Sequence, residues 1–369
     1  MAANARLRPA LHWLHRWLGL TLGLVFTAVA LSGSLLLFQP QFFEWAHGEM
    51  IPDSLAQKPG SVDAWVANGR AAVPELGDPI AIWRPHVSQN ISDAGMLIFA
   101  GLKPGGLGNM GFAGVLIAPA TGAVLGVFNV DHSPAYAPLF FHRDLWAGEI
   151  GKVLSGVMAI GTLISLSMGL YLWWPPRNRI LSKLSLRPWR TTLRNATPLH
   201  NWTGIWMLVA LLTQVVTGLY LVQPSWVEPA LGLLPDAHAE EAPGEGPCRT
   251  PIGFDAALAK AQDIVPNGTW TAIYPHDEEF RTWEIAMRTG GDTDTENGDV
   301  RVLADLRCGR IALHETAATR PARHTAEVWL MGLHDGSIFG LPGEIVVALL
   351  GLAPLVLAWT GIRMWLRGG

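Results

Sequence analysis

Residues 15–38 read HRWLGLTLGLVFTAVALSGSLLLF, and residues 200–223 read HNWTGIWMLVALLTQVVTGLYLVQ. Aligned without gaps, His15 meets His200, Trp17 meets Trp202, Gly19 meets Gly204, and Ser32-Gly33 meets Thr217-Gly218. Beyond Arg16 neither stretch carries an acidic or basic side chain. About 20 helical residues at about 1.5 Å each cross a hydrocarbon layer of about 30 Å, so each stretch predicts a transmembrane helix with a histidine at its start.

A second pair is duplicated as well. From His142 the chain reads HRDLWAGEIGKVLSGVMAIGTLISLSMGLYLWW, and from His334 it reads HDGSIFGLPGEIVVALLGLAPLVLAWTGIRMW. His142 meets His334, Gly148 meets Gly340, Gly169 meets Gly361 and Trp173 meets Trp365. The chain is two copies of one unit: helix, long soluble segment, helix. The expected fold is a mainly α membrane protein with four transmembrane helices and two extracytoplasmic α+β segments. The boundaries follow: the N-terminus and helix one at 1–38, the first segment at 39–141, and helix two at 142–174. A basic loop at 175–199 leads to helix three at 200–223, the second segment at 224–340, and helix four with the C-terminus at 341–369.

Composition agrees with that layout. Half of the 369 residues are apolar, 15% are charged and the mean hydropathy is +0.26, too apolar for an ordinary soluble enzyme and too mixed for a protein that is all membrane. Many of the 17 tryptophans, among them Trp13, Trp17, Trp45, Trp173, Trp174, Trp202 and Trp365, fall near the ends of the apolar runs, as an interfacial belt requires. A net charge of −4 argues neither for nor against nucleic acid; with no basic domain, none is expected as a partner, and the implied surroundings are a lipid bilayer. The basic start (Arg6, Arg8) and the small residues at Ser32-Gly33-Ser34 also describe a secretory signal. The apolar run is too long for one, and its copy lies mid-chain, so a retained helix is expected.

Orientation comes from residues 175–199, which hold Arg177, Arg179, Lys183, Arg187, Arg190 and Arg194 and no acid. Short cytoplasmic loops gather Lys and Arg. This loop and both termini are therefore expected in the cytoplasm, with the long segments outside. In the first segment, Met96–Ala100, Val115–Ile117 and Val124–Val127 read as strands between glycine-rich turns. The second reads as a helix at Phe254–Ile264 followed by strands at Thr269–Tyr274, Thr282–Met287, Arg301–Leu306 and Arg310–His314. Both cysteines, Cys248 and Cys308, fall on this oxidising side, either as a disulfide or as two free thiols.

With this topology His15 and His200 lie near the inner membrane face, and His142 and His334 near the outer one. Two imidazoles at matched depth on opposing helices are what a metal with two axial ligands needs, with glycines nearby to admit a flat macrocycle. The sites predict two haem b groups, bound by His15 with His200 and by His142 with His334. His12, three residues before His15 on the same helix face, is the substitute candidate for His15. For His47, His86, His132, His238, His276, His314 and His324 a surface role is the default. His132 and Tyr136 are placed at the outer mouth, and Glu344 and Arg363 at the interfaces.

The HRW-x-G opening of helix one, the Thr-Gly closing helices three and four, WWPPR after helix two and LHDG before helix four resemble the PepSY-associated transmembrane proteins. The resemblance covers nearly the whole chain. TWEIAMR followed by VRVLADLRCGRIA looks like the strand pair of a PepSY domain with its turn at Cys308-Gly309, and Ala120–Val124 looks like the same turn in the first segment, beyond a glycine-rich insertion at residues 101–114. Helix one closes with Ser-Gly and helix two with Met168-Gly169, which departs from the pattern. The resemblance implies an inner-membrane haem reductase of ferric siderophores linked to iron uptake. No residue offers itself as a catalytic acid, base or nucleophile. No cytoplasmic domain or nucleotide-binding fingerprint is present, so membrane quinol or a protein partner is the implied electron donor. Two other classes compete: a cofactor-free regulatory module that binds protein through its PepSY-like segments, and a transporter of siderophore, haem or iron.

Overall fold

The computed structural model describes residues 2–55, 58–85, 92–102, 111–184, 196–233, 248, 250–276, 282–290, 298 and 300–367. In chain order the helices are α1 (Ala2–Leu20), α2 (Leu22–Leu36), α3 (Gln39–His47), α4 (Val62–Ala72), α5 (Ala137–Asp144), α6 (Gly148–Trp173), α7 (Ile180–Leu184), α8 (Ala196–Trp206), α9 (Leu208–Val222), α10 (Pro224–Leu231), α11 (Phe254–Ile264), α12 (Ala322–Asp335), α13 (Gly340–Leu350) and α14 (Leu352–Leu366). Strands β1 (Pro79–Trp83), β2 (Gly95–Ala100), β3 (Phe112–Ile117) and β4 (Val124–Asn129) belong to the first half. The second half holds β5 (Thr269–Pro275), β6 (Thr282–Arg288), β7 (Val300–Asp305) and β8 (Arg310–Thr316). The chain divides into a helical unit (residues 1–37, 138–232 and 330–369) and a sheet unit (38–137 and 233–329).

In the helical unit, α6 and the run Ser337–Leu366 are each long and apolar enough to cross a membrane. The stretches at 7–36 and 196–222 pass the same test only as bent pairs, broken by 45° between α1 and α2 and by 60° between α8 and α9. The described residues thus hold two to four candidate spans. The expectation of two unbroken helices at 15–38 and 200–223 is corrected here, and the breaks fall at nearly equivalent positions of the two repeats. At the first, the Thr21 hydroxyl donates to Trp17 O (2.8 Å) and Leu24 N bonds Thr21 O, while Gly19 and Gly23 loosen the turns on either side. The second break follows Gly204 by one turn. Small residues bury the inward face of α6 (Gly151, Ser155, Gly156, Ala159, Gly161, Thr162), so its backbone comes close to its neighbours α1, α2 and α9.

The sheet unit departs from expectation in a different way. The two segments do not build separate sheets: all eight strands form one antiparallel sheet in the order β4-β3-β2-β1-β5-β6-β7-β8. Each half is a helix followed by a four-stranded meander, and the halves join through their first strands, Ile82 opposite Ile273 and Trp83 opposite Ala272. Strand β1 was not legible as a strand, being five residues long and starting at Pro79. The helices α4 and α11 lie on one face, where Trp65, Val66, Phe254 and Ala257 pack with Leu97, Phe99, Val115, Ile117, Ile285 and Val302, alternate positions that strand pleating turns to the same side. Their N-termini cap one another. Asp63 accepts from Phe254 N (2.7 Å) and Asp255 N (3.2 Å), while Asp255 accepts from Val62 N (2.7 Å) and the Ser61 hydroxyl.

Other expectations hold closely. The helix at Phe254–Ile264 is α11, and the seven strands read from the sequence match β2 to β8 within a few residues. The two turns likened to each other both join the third and fourth strands of a half, with Gly122 and Gly309 at φ of +73° and +60° where glycine is the low-cost residue. Cys248 and Cys308 form a disulfide. Within the glycine-rich stretch, residues 103–110 lie outside the described residues and residues 112–114 already belong to β3. Arg187, Arg190 and Arg194 of the basic loop also lie outside them.

Candidate functional site

The helical unit brings the four repeat histidines together as two pairs. His142 at the end of α5 faces His334 at the end of α12, with their Nε2 atoms 3.5 Å apart and ring centroids 5.8 Å apart. His15 on α1 faces His200 on α8 across 6.3 Å between centroids, the rings nearly perpendicular. His12 stays exposed at the border of the first pair's cavity.

In all four the other ring nitrogen is engaged. His142 Nδ1 lies 2.8 Å from Val29 O, and His15 Nδ1 lies 3.0 Å from Ser165 O. A carbonyl can only accept, so Nδ1 carries the proton in both. His334 Nδ1 meets Thr217 Oγ1 at 2.9 Å, and His200 Nδ1 meets Thr360 Oγ1 at 2.8 Å. Those hydroxyls donate to backbone carbonyls one turn back, Thr217 to Thr213 O and Thr360 to Val356 O, both at 2.7 Å, so they accept from the imidazoles. In the neutral ring each Nε2 is then a bare lone pair, and those of His142 and His334 face one another 3.5 Å apart. This is how second-shell partners fix a metal-binding tautomer.

Each ring rests on a glycine of a neighbouring helix. A Cβ at Gly33 would stand 2.6 Å from His142 Cε1, at Gly218 3.1 Å from His334 Cε1, at Gly169 3.2 Å from His15 Cε1 and at Gly361 3.9 Å from His200 Cε1. The four are equivalent by repeat: Gly33 with Gly218, Gly169 with Gly361. Other glycines of the repeats serve elsewhere. Gly148 and Gly340 take φ of +56° and +63° in the turns after His142 and His334. Gly151 and Gly343 admit the carbonyls of Asp144 and Gly336, which return from those turns. In the first copy the turn also holds Leu145 and Trp146 at φ of +53° and +59°, a left-handed conformation that costs about 1–2 kcal/mol per residue.

Between His15 and His200 lies a cavity of about 510 Å³, of the size that holds a cofactor. Gly23, Phe26, Thr27, Gly161 and Leu211 line its depth, and Arg16, Arg363 and Arg367 line it as well. Arg363, expected at an interface, is therefore part of this wall. Among the described residues no three or more His, Cys, Asp or Glu are arranged to hold a metal ion. The donors on offer come in twos.

The family described as PepSY-associated TM region matches residues 12–367. The chain belongs to this family. A PepSY-associated membrane protein is thus what carries these paired imidazoles. Comparison with curated proteins gives no match.

Several residues of this PepSY-associated protein sit where sequence reasoning did not put them. His47, assigned to the surface, is buried against Phe128 (4.2 Å between ring centroids), and its Nε2 meets Ser133 Oγ at 2.7 Å. Burial lowers its pKa. Tyr136 is buried in the same aromatic cluster with Phe43 and Phe128, which takes it away from any mouth, whereas His132 is exposed as expected. His276 and His324 belong to a charge network. Glu284 pairs with Arg301 and lies 3.8 Å from His276, and His324 bridges Glu315 (2.6 Å) and Arg301 (2.9 Å). His86, His238 and the side chain of His314 lie outside the described residues. The Nδ1 partners were missed altogether; only Thr217 and Thr360 had a signal, as the Thr-Gly ends of helices three and four.

Proposed function

We propose that this protein is a di-haem electron carrier of the bacterial inner membrane, with four spans and both termini in the cytoplasm, that delivers single electrons to the ferric iron of an extracytoplasmic siderophore. The observation that carries the reading is the meeting of imidazoles in two pairs, each ring engaged at Nδ1 so that its Nε2 is left free for a metal. Two facing lone pairs repel unless a metal ion or a shared proton lies between them. Two metal–imidazole bonds of about 2 Å, with roughly 1.1 Å from nitrogen to ring centre, separate ring centroids by about 6.2 Å. The observed separations are 6.3 and 5.8 Å. A macrocycle supplies the four remaining donors that the protein does not.

On this reading His15 and His200 would hold one b-type haem, and His142 and His334 the other. Bound haem supplies a reversible one-electron iron couple. The chain's own part is orientation and exclusion. The Nδ1 bonds lock ring direction, the four glycines leave room beside each ring, and the apolar walls keep water out. Helix α2 serves both sites: Thr27 lines the cavity of the first pair, and Val29 O, two residues or about 3 Å of rise further on, orients His142 of the second. One electron from membrane quinol or a protein donor would thus pass to chelated ferric iron, and the ferrous product, a poorer fit to hard oxygen ligands, would be released. The siderophore as substrate rests on family resemblance.

One observation favours a cofactor-free regulatory module instead: the Nε2 atoms of His142 and His334 stand 3.5 Å apart, closer than the roughly 4 Å that two bonds of about 2 Å to one metal would set, a spacing that a proton shared by the pair would also hold. A dithionite-reduced minus oxidised spectrum of the detergent-purified protein, with haem quantified per chain, separates the two. Two low-spin b-type haems, with one lost in His200→Ala and one in His334→Ala, are expected. No haem after expression with ample supply would leave the regulatory reading in front.

A further inference from the structure

The two histidine pairs differ in the charges beside them. Next to the second pair, Arg143 is tied to the buried Asp144 by two hydrogen bonds of 3.0 and 2.6 Å, so its charge is answered within the chain. Among the described residues, the lining of the first pair's cavity includes three arginines and no acidic side chain. Arg16 follows His15 directly and is half-buried, with its Nε hydrogen shielded from solvent and without an acceptor. Arg363 comes from α14, two residues beyond Gly361, and Arg367 from the end of the same helix. The asymmetry is also one of sequence: the partner of Arg16 in the second repeat is Asn201, and that of Arg363 in the first is Tyr171.

A half-buried guanidinium with an unanswered N–H, on the wall of an otherwise apolar cavity, calls for an anionic acceptor of planar, two-oxygen geometry. We infer that Arg16 and Arg363, with Arg367 at the outer limit, bind the carboxylate edge of a dicarboxylic porphyrin held between His15 and His200. They thereby fix which edge of the macrocycle points out of the bundle at this end. This inference rests on the haem reading above and adds the chemical class that the cavity selects: a tetrapyrrole with free carboxylates, in preference to its neutral ester. No such selection applies beside His142, where the neighbouring Arg143 is paired with Asp144.

The test is a titration of apo-protein, full-length and carrying His334→Ala so that only the first pair is left, with haem and with haem dimethyl ester, read by the Soret band. Free-acid haem should bind about 10- to 100-fold more tightly than the ester, the range for one charge-assisted bond. In Arg16→Gln/Arg363→Gln the preference should fall to within about threefold while the low-spin spectrum of the ester complex stays unchanged. Should His334→Ala fail to accumulate, the wild-type chain gives the same answer: haem fills both sites, and the ester shows one weakened phase. Equal binding of the two porphyrins by the first pair would overturn the inference and leave the arginines to lipid headgroups. A preference that survives in the double arginine variant would overturn it too. Failure of the underlying haem reading looks different, since neither porphyrin would then give a low-spin spectrum.

Discussion

The four glycines beneath the imidazoles form a graded series that tests the site without touching a ligand. Alanine at Gly33 would put a methyl group 2.6 Å from His142 Cε1 and 2.9 Å from its Nδ1. Ordinary contact begins at 3.4 Å, so the ring or the helix must yield by about 0.8 Å. Overpacking of this kind costs about 1–3 kcal/mol, and the better helix propensity of alanine returns up to about 1 kcal/mol. The net loss is about 0–3 kcal/mol, concentrated on a ring whose proposed bond to a metal of about 2 Å tolerates little displacement. At Gly361 the same methyl stands 3.9 Å from His200, so only the propensity gain of about 0.5–1 kcal/mol remains. Gly218 and Gly169, at 3.1 and 3.2 Å, fall between. The assay is haem per chain from the reduced-minus-oxidised spectrum, beside the melting temperature of each variant in detergent. Gly33→Ala should lose the haem of the second pair, Gly361→Ala should keep both and melt slightly higher, and the other two should weaken binding. Equal effects at all four positions, or two fully bound haems in Gly33→Ala, would refute the claim that these contacts set the rings.

Thr217→Val and Thr360→Val remove the acceptors of His334 and His200 and leave a buried N–H unanswered, at about 1–3 kcal/mol each. Weaker haem binding and a shifted midpoint potential at one site each are expected, with both restored by Thr→Ser. Reducing the Cys248–Cys308 disulfide, which spans 60 residues, should cost the sheet unit about 4 kcal/mol by loop entropy, read as a lower melting temperature in reductant. Glu284 titrates below its ordinary 4.5: burial alone pushes the carboxyl up, and the hydrogen bond from His276 with the charge of Arg301 outweighs it. A carboxyl held low in the folded state stabilises above about pH 4.5, and that contribution is lost as pH falls through its folded value. Acid should therefore destabilise the protein more steeply than Glu284→Gln, whose breaking of a buried pair costs about 3–5 kcal/mol near neutrality and flattens the acid limb. Chemical denaturation across pH 3–7 (roughly the span of that transition) checks this.

Much of the site was legible because it is written twice. His15 with His200, His142 with His334, and the glycines at 33, 218, 169 and 361 stand in register, and spacing alone separates them from ordinary interface residues. What stayed hidden has no side-chain code. Val29 acts through its carbonyl, which any residue possesses, and Ser165, whose carbonyl and hydroxyl both reach His15 Nδ1, takes over out of register where Met168 stands in the place of Thr360. The joint between β1 and β5 could not be read either, since it pairs edges about 190 residues apart through two register pairs, and no local pattern announces such a partner. Arg363 was misjudged because a cation near a helix end reads as interfacial whether it faces headgroups or a cavity.

The arrangement as a whole is that of a homodimer made in one piece. Each imidazole pair takes one member from each repeat, the sheet order is the same from either edge, and Asp63 and Asp255 exchange the same capping bonds. A single repeat would own half of two imidazole pairs and leave the inner strand of its sheet unpaired; two copies would complete all three at once. In the present chain residues 175–199 act as a tether, and a short covalent link holds its two ends at an effective concentration in the millimolar range. Joined halves no longer have to match residue for residue. That freedom is where Arg16 came to stand opposite Asn201, and where one repeat orients its histidines with threonine hydroxyls and the other with the Val29 carbonyl and Ser165.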